Sequence, residues 1–280
     1  MTWFSSIWTI AWKTALFFIL WGLLLATIVP FSAKLRQPQA CSPQVRLYFE
    51  LIACLTILAA VWIMVAFIER RPFVTLGFVP HRFVRDLLVG FAFGTGWLVL
   101  SIAILLLAGW ARVHLPLTFS GSVLAWAAGT VFLNTVAQEV LARGYIFQTI
   151  RSNSNALIAI LLSSLLFVAY HAGAFKGAWL PALNVFAAGV LFGVAYQFTQ
   201  NLWLPIGIHF AWNFLLGPVL GLSVSGGDPW GVGSRLLIVE GPEVFTGGAF
   251  GIEGGLVVTL CTSIGIVILL LLFPGAKLAS

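Results

Sequence analysis

The sequence contains about eight apolar runs, and several of them are long enough to cross a lipid bilayer as a helix. A transmembrane helix needs roughly 20 apolar residues, within a range of about 17 to 25. On that criterion the sequence predicts an all-α fold: a polytopic membrane helical bundle of about eight transmembrane helices. The predicted helices are Thr14–Val29, Phe49–Phe67, Leu87–Trp110, Leu124–Ala142, Ala156–Tyr170, Leu180–Phe198, Leu202–Leu222 and Leu256–Phe273.

The composition favours a multi-pass integral protein of the cell membrane over a soluble domain. Of 280 residues, 61% are hydrophobic and 8% are charged, whereas roughly 25% charged residues are usual in a soluble protein. Because so few charges cannot cover a solvated surface, most of the surface must face lipid. The net charge of +6 comes from basic residues scattered among short loops, which is typical of contact with the bilayer and gives no basis for nucleic-acid binding.

The chain divides into two predicted regions. Residues 1–86 would hold N-terminal transmembrane helices and a basic loop, and residues 87–280 would form a core membrane domain with its motifs within 124–222. Counts of Lys and Arg in the loops nearly balance and lean towards both termini being cytoplasmic. The Gly-rich segment Ser223–Glu253 is predicted to be a long extramembrane loop.

Cysteine does not indicate a metal centre or a disulfide framework. The chain has three cysteines, Cys41, Cys54 and Cys261, and none belongs to a CxxC pair. Two of them fall inside apolar runs, where a cysteine most often serves as a small buried side chain.

The most informative residues are polar ones inside apolar runs, because an ionisable side chain in lipid is costly unless it is paired or faces a cavity. Glu139 and Arg143 are four residues apart, so on a helix they can form an ion pair. Asn134 and Gln138 are one turn apart on an adjoining face, and Gly144 would let the helix end. The simpler interpretation is an ion pair that only stabilises helix packing.

Two further groups contain histidine. His171 follows the end of one run, where it could simply cap a helix C-terminus. His209 and Asn213 are four residues apart on the next but one helix, where they could simply join helices by hydrogen bonds.

One polar cluster built from three helices costs less than three separate buried polar sites. A Glu, two His and an Asn around a membrane cavity can activate a water molecule and stabilise an oxyanion. An alternative is zinc held by His171, His209 and Glu139, assembled across helices because no HExxH motif is present. The chemistry of the first interpretation requires no cofactor.

These segments resemble, in order, the three motifs of one family of intramembrane proteases. It is the CPBP family (CAAX protease and bacteriocin-processing), also called the abortive-infection family. The matching segments are Gln138-Glu139-xxx-Arg143, Phe167-xxx-His171 and His209-xxx-Asn213, within roughly Leu124–Leu222. The resemblance implies an eight-helix membrane fold and a metal-free endopeptidase. In such an endopeptidase, Glu and His would activate water and His and Asn would bind the oxyanion. Arg143 and Phe167 would position the site. It further implies a membrane-embedded or lipid-modified substrate, such as a prenylated CAAX protein, or a role in bacteriocin immunity.

One position departs from the family pattern. The first Glu of the family's EExxxR motif is Gln138 here, and an amide can orient a water molecule but cannot deprotonate it. Either Glu139 takes over as the base, although successive helical residues point about 100° apart, or the protein is a non-catalytic scaffold or immunity factor. A small transporter is a third hypothesis, because intramembrane charges also mark ion paths. We favour an intramembrane endopeptidase.

Overall fold

The structure is a computed structural model, and it describes residues 3–33, 42–114, 120–227 and 235–272 of the chain. These residues form helices joined by short turns and one small two-stranded ribbon. The helices are α1 Trp3–Ala33, α2 Pro43–Ile63, α3 Phe83–Leu107, α4 Gly121–Glu139, α5 Gln148–Arg151, α6 Ala156–Tyr170, α7 Trp179–Thr199, α8 Trp203–Phe214, α9 Glu243–Thr246 and α10 Leu256–Leu272.

The predicted all-α membrane bundle is confirmed. Every predicted apolar run falls on a helix. α1 begins well before the predicted start. The prediction began later because the first turns of α1 carry Trp and Ser rather than a continuous apolar run. Four helical stretches in the described part of the chain have the length and apolar composition to cross a membrane: Trp3–Ile28, Pro43–Ile68, Pro80–Leu107 and Trp179–Thr199. Ala156–Tyr170 and Leu256–Leu272 are shorter apolar helices, and the total of about eight spans stays a prediction.

The helix that carries Glu139 does not end at Gly144, so that expectation was wrong. After α4 the chain continues as a π-helix over Val140–Phe147 and then as α5. All residues of the π-helix are buried, and this tertiary burial outweighs the weak helix preference of one glycine. Single π-helical turns are often found at functional sites.

The central helix of the bundle is α8. It packs against α3, α4 and α7, and its residues from Leu204 to His209 are all buried. A helix that is apolar on all sides belongs inside a bundle. The contact with α3 is close because glycines meet there: a Cβ added at Gly90 would lie 3.0 Å from the Cα of Gly207 and closer still to the carbonyl oxygen of Leu204.

The segment Ser223–Glu253 is more ordered than the predicted loop. In its described residues, strand β2 (Leu237–Val239) pairs in antiparallel register with β1 (Ala111–Val113), which follows α3. Glu253 and Phe250 pack against the bundle rather than facing solvent. Cys54 and Cys261 are free and buried, and Cys41 lies outside the described residues.

The glycine contact between α3 and α8 yields a stability prediction. We expect Gly90→Ala to destabilise the protein by about 1–3 kcal/mol, because the new methyl group overlaps the α8 backbone. Thermal unfolding in detergent measures the change. Gly96→Ala on the same helix is the matched control, since nothing lies within 4 Å of its added Cβ, and it should unfold no earlier than wild type. Equal unfolding of the two variants would contradict the close packing.

Candidate active site

The carboxylate of Glu139 is the centre of a fully buried polar network. Its Oε1 accepts hydrogen bonds from Arg143 Nη1 at 3.0 Å and from His209 Nδ1 at 2.8 Å. Arg143 Nη2 donates to the carbonyl oxygen of Gly189 on α7 at 2.9 Å. The predicted Glu139–Arg143 pair therefore forms, and it links the α4 segment to both α7 and α8.

Aromatic rings cover this network. The Arg143 guanidinium lies over the ring of Phe167 at 4.6 Å and over that of Phe192 at 5.2 Å, a favourable contact between a cation and an aromatic face. The His209 ring stacks on Phe192 with 4.8 Å between centroids and lies edge-on to Phe167. Phe167 also lies 4.6 Å from the ring of His171, so this phenylalanine contacts every basic side chain of the three motifs.

The hydrogen bonds of the two histidines fix which ring nitrogen remains for chemistry. His171 Nδ1 lies 2.8 Å from the carbonyl oxygen of Phe167, and a carbonyl can only accept, so Nδ1 carries the proton. His209 Nδ1 likewise faces the Glu139 carboxylate. In the neutral form of either ring, Nε2 is then the nitrogen that can accept a proton.

Gln138 belongs to a second hydrogen-bonded chain. Its Nε2 donates to Asn134 Oδ1 at 2.6 Å, and Asn134 Nδ2 donates to Glu50 Oε2 on α2 at 3.0 Å. The Gln138 Oε1 atom is buried and has no hydrogen-bond partner among the described residues. Gln138 thus offers an acceptor and no basic group.

A cavity of about 450 Å³ gathers part of the predicted site. Its polar lining includes Gln138, His171 and Asn213 from the three motifs, with Glu50 and Asn134. Glu139, Arg143 and His209 are not among its lining residues. The motifs therefore supply two sets of residues, one that lines the cavity and one that forms the buried network.

A second, mostly apolar cavity of about 190 Å³ also reaches Gln138 and Phe167. Its other walls include Phe18 of α1 and Leu141 and Ile146 of the π-helix. Gln138 lines both cavities, so an apolar group in the smaller one would lie beside the polar site.

The sequence analysis missed two carboxylates near this site. Glu50 lies at the start of an apolar run, and its position inside a membrane helix was the available signal. Glu253 lies in the loop before α10, where it accepts hydrogen bonds from Trp212 Nε1 at 2.8 Å and from the backbone N–H of Ser225. Burial raises the pKa of Glu253, although these hydrogen bonds partly offset the shift. No sequence pattern pointed to this residue.

The residues suggested as zinc ligands do not form a ligand set. Within the described residues, no group of three or more His, Cys, Asp or Glu side chains is arranged to hold a metal ion. Glu139 and His209 bond to each other, and His171 Nδ1 is engaged by a backbone carbonyl. Both contacts leave the Nε2 atoms of the two rings free, and the zinc alternative stays a prediction.

Comparison with known proteins supports the motif assignment. Residues 119–215 match the family model described as type II CAAX prenyl endopeptidase Rce1-like. The match covers about a third of the 280-residue chain and includes all three motifs. Neither a curated protein nor a solved structure matches this chain significantly. The predicted resemblance is thus confirmed over these residues: the chain is an integral membrane protein whose segment 119–215 is similar to the Rce1-like family, in agreement with a resemblance to the CPBP intramembrane proteases.

Proposed function

We propose that this chain is an intramembrane endopeptidase that hydrolyses a peptide bond with an activated water molecule. The observation that carries the proposal is the meeting of the three motifs. Gln138, His171 and Asn213 line one cavity, and His209 is fixed beside it by the buried Glu139 carboxylate. These are the groups needed to orient water, transfer a proton and hold an oxyanion.

The proposed roles follow from the free atoms. Gln138 lies at the cavity wall beside the attacking water, and the imidazole Nε2 atoms of His171 and His209 serve in proton transfer or, when protonated, donate to the oxyanion. Asn213 Nδ2 is a second oxyanion donor. Collapse of the tetrahedral intermediate breaks the C–N bond, and the proton taken from water goes to the leaving amine.

Glu139 best fits a positioning role. Both of its hydrogen bonds converge on Oε1, and the carboxylate is fully buried. A direct role as the base, which the sequence left open, would require the water to reach the buried Oε2 atom. We therefore place Glu139 behind His209, where it sets the ring orientation and stabilises the positive charge that forms on the ring.

The proposed substrate is a membrane-embedded or lipid-modified peptide in the cell membrane. The apolar cavity beside Gln138 suits an apolar side chain or part of a lipid group. The prenylated CAAX substrates named in the family description are one such class.

A non-catalytic scaffold or immunity protein of the same fold is the second candidate. Gln138 favours it, because the motif position that should carry a base carries an amide. The transporter hypothesis depends only on intramembrane charges, and the network of Glu139, Arg143 and His209 accounts for these by mutual pairing.

The histidines provide the direct test. We expect cells that express wild type to produce new peptide termini among membrane proteins, and His171→Ala or His209→Ala to reduce them by about 100-fold or more, because each removes a proton-transfer group or oxyanion donor. Terminal-peptide mass spectrometry measures the yield at equal levels of folded protein.

The matched control is His81→Ala, an exposed histidine outside the site, which should cleave like wild type. If wild type generates no new termini while the cellular phenotype persists in His209→Ala, the scaffold hypothesis replaces the protease.

Substitution of Glu139 separates positioning from packing. Glu139→Gln retains an Oε1 atom that can accept from both Arg143 and His209 but removes the charge that pairs with Arg143. We therefore expect a smaller loss of stability than in Glu139→Leu, with kcat lowered about tenfold to a hundredfold and KM unchanged, as for lost orientation of a catalytic residue. Glu139→Leu leaves the buried Arg143 unpaired and should cost about 3–5 kcal/mol. Thermal unfolding and cleavage kinetics measure the two effects. A purely structural Glu139 would lower the unfolding temperature in both variants with no effect on kcat.

A further inference from the structure

Glu50 reaches the cavity from a helix outside the Rce1-like segment. It lies on α2, before residues 119–215 begin. Among the described acidic residues it is the one that lines the cavity with Gln138, His171 and Asn213. The cavity therefore contains a carboxylate, although the motif position contains an amide.

The hydrogen-bonded chain from Glu50 to Gln138 has a fixed direction. An ionised carboxylate only accepts hydrogen bonds, so Asn134 must turn its Nδ2 towards Glu50 and its Oδ1 towards Gln138. Gln138 must then donate through Nε2, which leaves its Oε1 without a partner among the described residues. The charge on Glu50 thus determines which atom of Gln138 is left without a partner.

The other nearby carboxylates are already engaged. Glu139 holds Arg143 and His209 and is fully buried. Glu253 is bound by Trp212 and by the backbone of Ser225. Glu50 is half-buried at the cavity wall, and its hydrogen bond from Asn134 is made at Oε2.

We propose that Glu50 is the catalytic carboxylate of this site and takes the place of the glutamate that position 138 lacks. This proposal rests on the proposed protease function. Glu50 removes a proton from the attacking water in the cavity that it lines together with Gln138.

The step is balanced without a further reactant. Glu50 takes one proton from water as the water oxygen bonds to the carbonyl carbon, which gives a tetrahedral oxyanion. When the C–N bond breaks, the proton on the Glu50 carboxyl passes to the leaving nitrogen. The products are a carboxylic acid and an amine, and Glu50 is ionised again. Arg46, one turn earlier on α2, lines the same cavity.

The first variant is Glu50→Gln. It removes the charge and the basic group but preserves the shape and the hydrogen-bonded chain, since the new side-chain amide can still accept from Asn134 through its carbonyl oxygen. We expect at least a roughly 100-fold loss of cleavage with normal thermal unfolding. The assay uses purified full-length protein in liposomes with a solubilised membrane-protein fraction from cells that lack it, read by terminal-peptide mass spectrometry.

The second variant is the exchange Glu50→Gln with Gln138→Glu. Rotation of the Asn134 amide by about 180° restores every hydrogen bond in this chain, because the donor at one end and the acceptor at the other simply trade places. The carboxylate then stands at the family's motif position, and we expect cleavage within about tenfold of wild type. Glu240→Gln is the matched control: it removes an exposed Glu that pairs with Arg112 on the surface, and it should cleave like wild type.

The outcomes distinguish this proposal from the proposed function. Full activity in Glu50→Gln would overturn the role of Glu50 and leave the protease standing. Loss of activity that the exchange does not restore would make Glu50 a packing residue and likewise overturn its role. A third variant, Gln138→Glu alone, tests the motif position. Cleavage by this variant without cleavage by wild type would overturn both proposals, as would the absence of cleavage by every variant.

Discussion

The arrangement of the helices around the site depends on one buried carboxylate. Glu139 carries a charge that lipid and a packed interior both disfavour. It is stabilised there because Arg143 and His209 donate hydrogen bonds to it, and Arg143 also donates to the carbonyl oxygen of Gly189. A buried charge of this kind is destabilising unless each partner is in place. The same network that satisfies it therefore fixes α7, α8 and the π-helix relative to one another. It also keeps the His209 ring in one orientation.

Local geometry explains what could be predicted from the sequence. The pairs Glu139–Arg143 and Asn134–Gln138 followed from helical spacing, and both hydrogen bonds form. The apolar runs predicted the helices because lipid requires long stretches with satisfied backbone groups. The order of the motifs indicated the family resemblance without any tertiary information.

Contacts between distant segments were not predictable in this way. The hydrogen bond between Glu139 and His209 joins residues on different helices, and the one between Asn134 and Glu50 does the same. Which face of α2 meets α4 depends on packing of the whole bundle, which a single sequence does not encode in its periodicity. The continuation past Gly144 was missed for a similar reason, since burial of the π-helix overrides the preference of one residue. A site described only from residues 119–215 would therefore omit a wall of its own cavity.

The bond between Glu253 and Ser225 has a further consequence for how the cavity opens. Val224 and Ser225 form part of the cavity wall, and the loop that carries them is fastened to α8 through Glu253 and Trp212. Any outward movement of this wall separates a buried carboxylate from a donor, so opening carries an energetic threshold. For the proposed endopeptidase, a peptide that displaces this wall must offset that cost with its own contacts. Peptides that bind weakly would then be excluded from the proposed site.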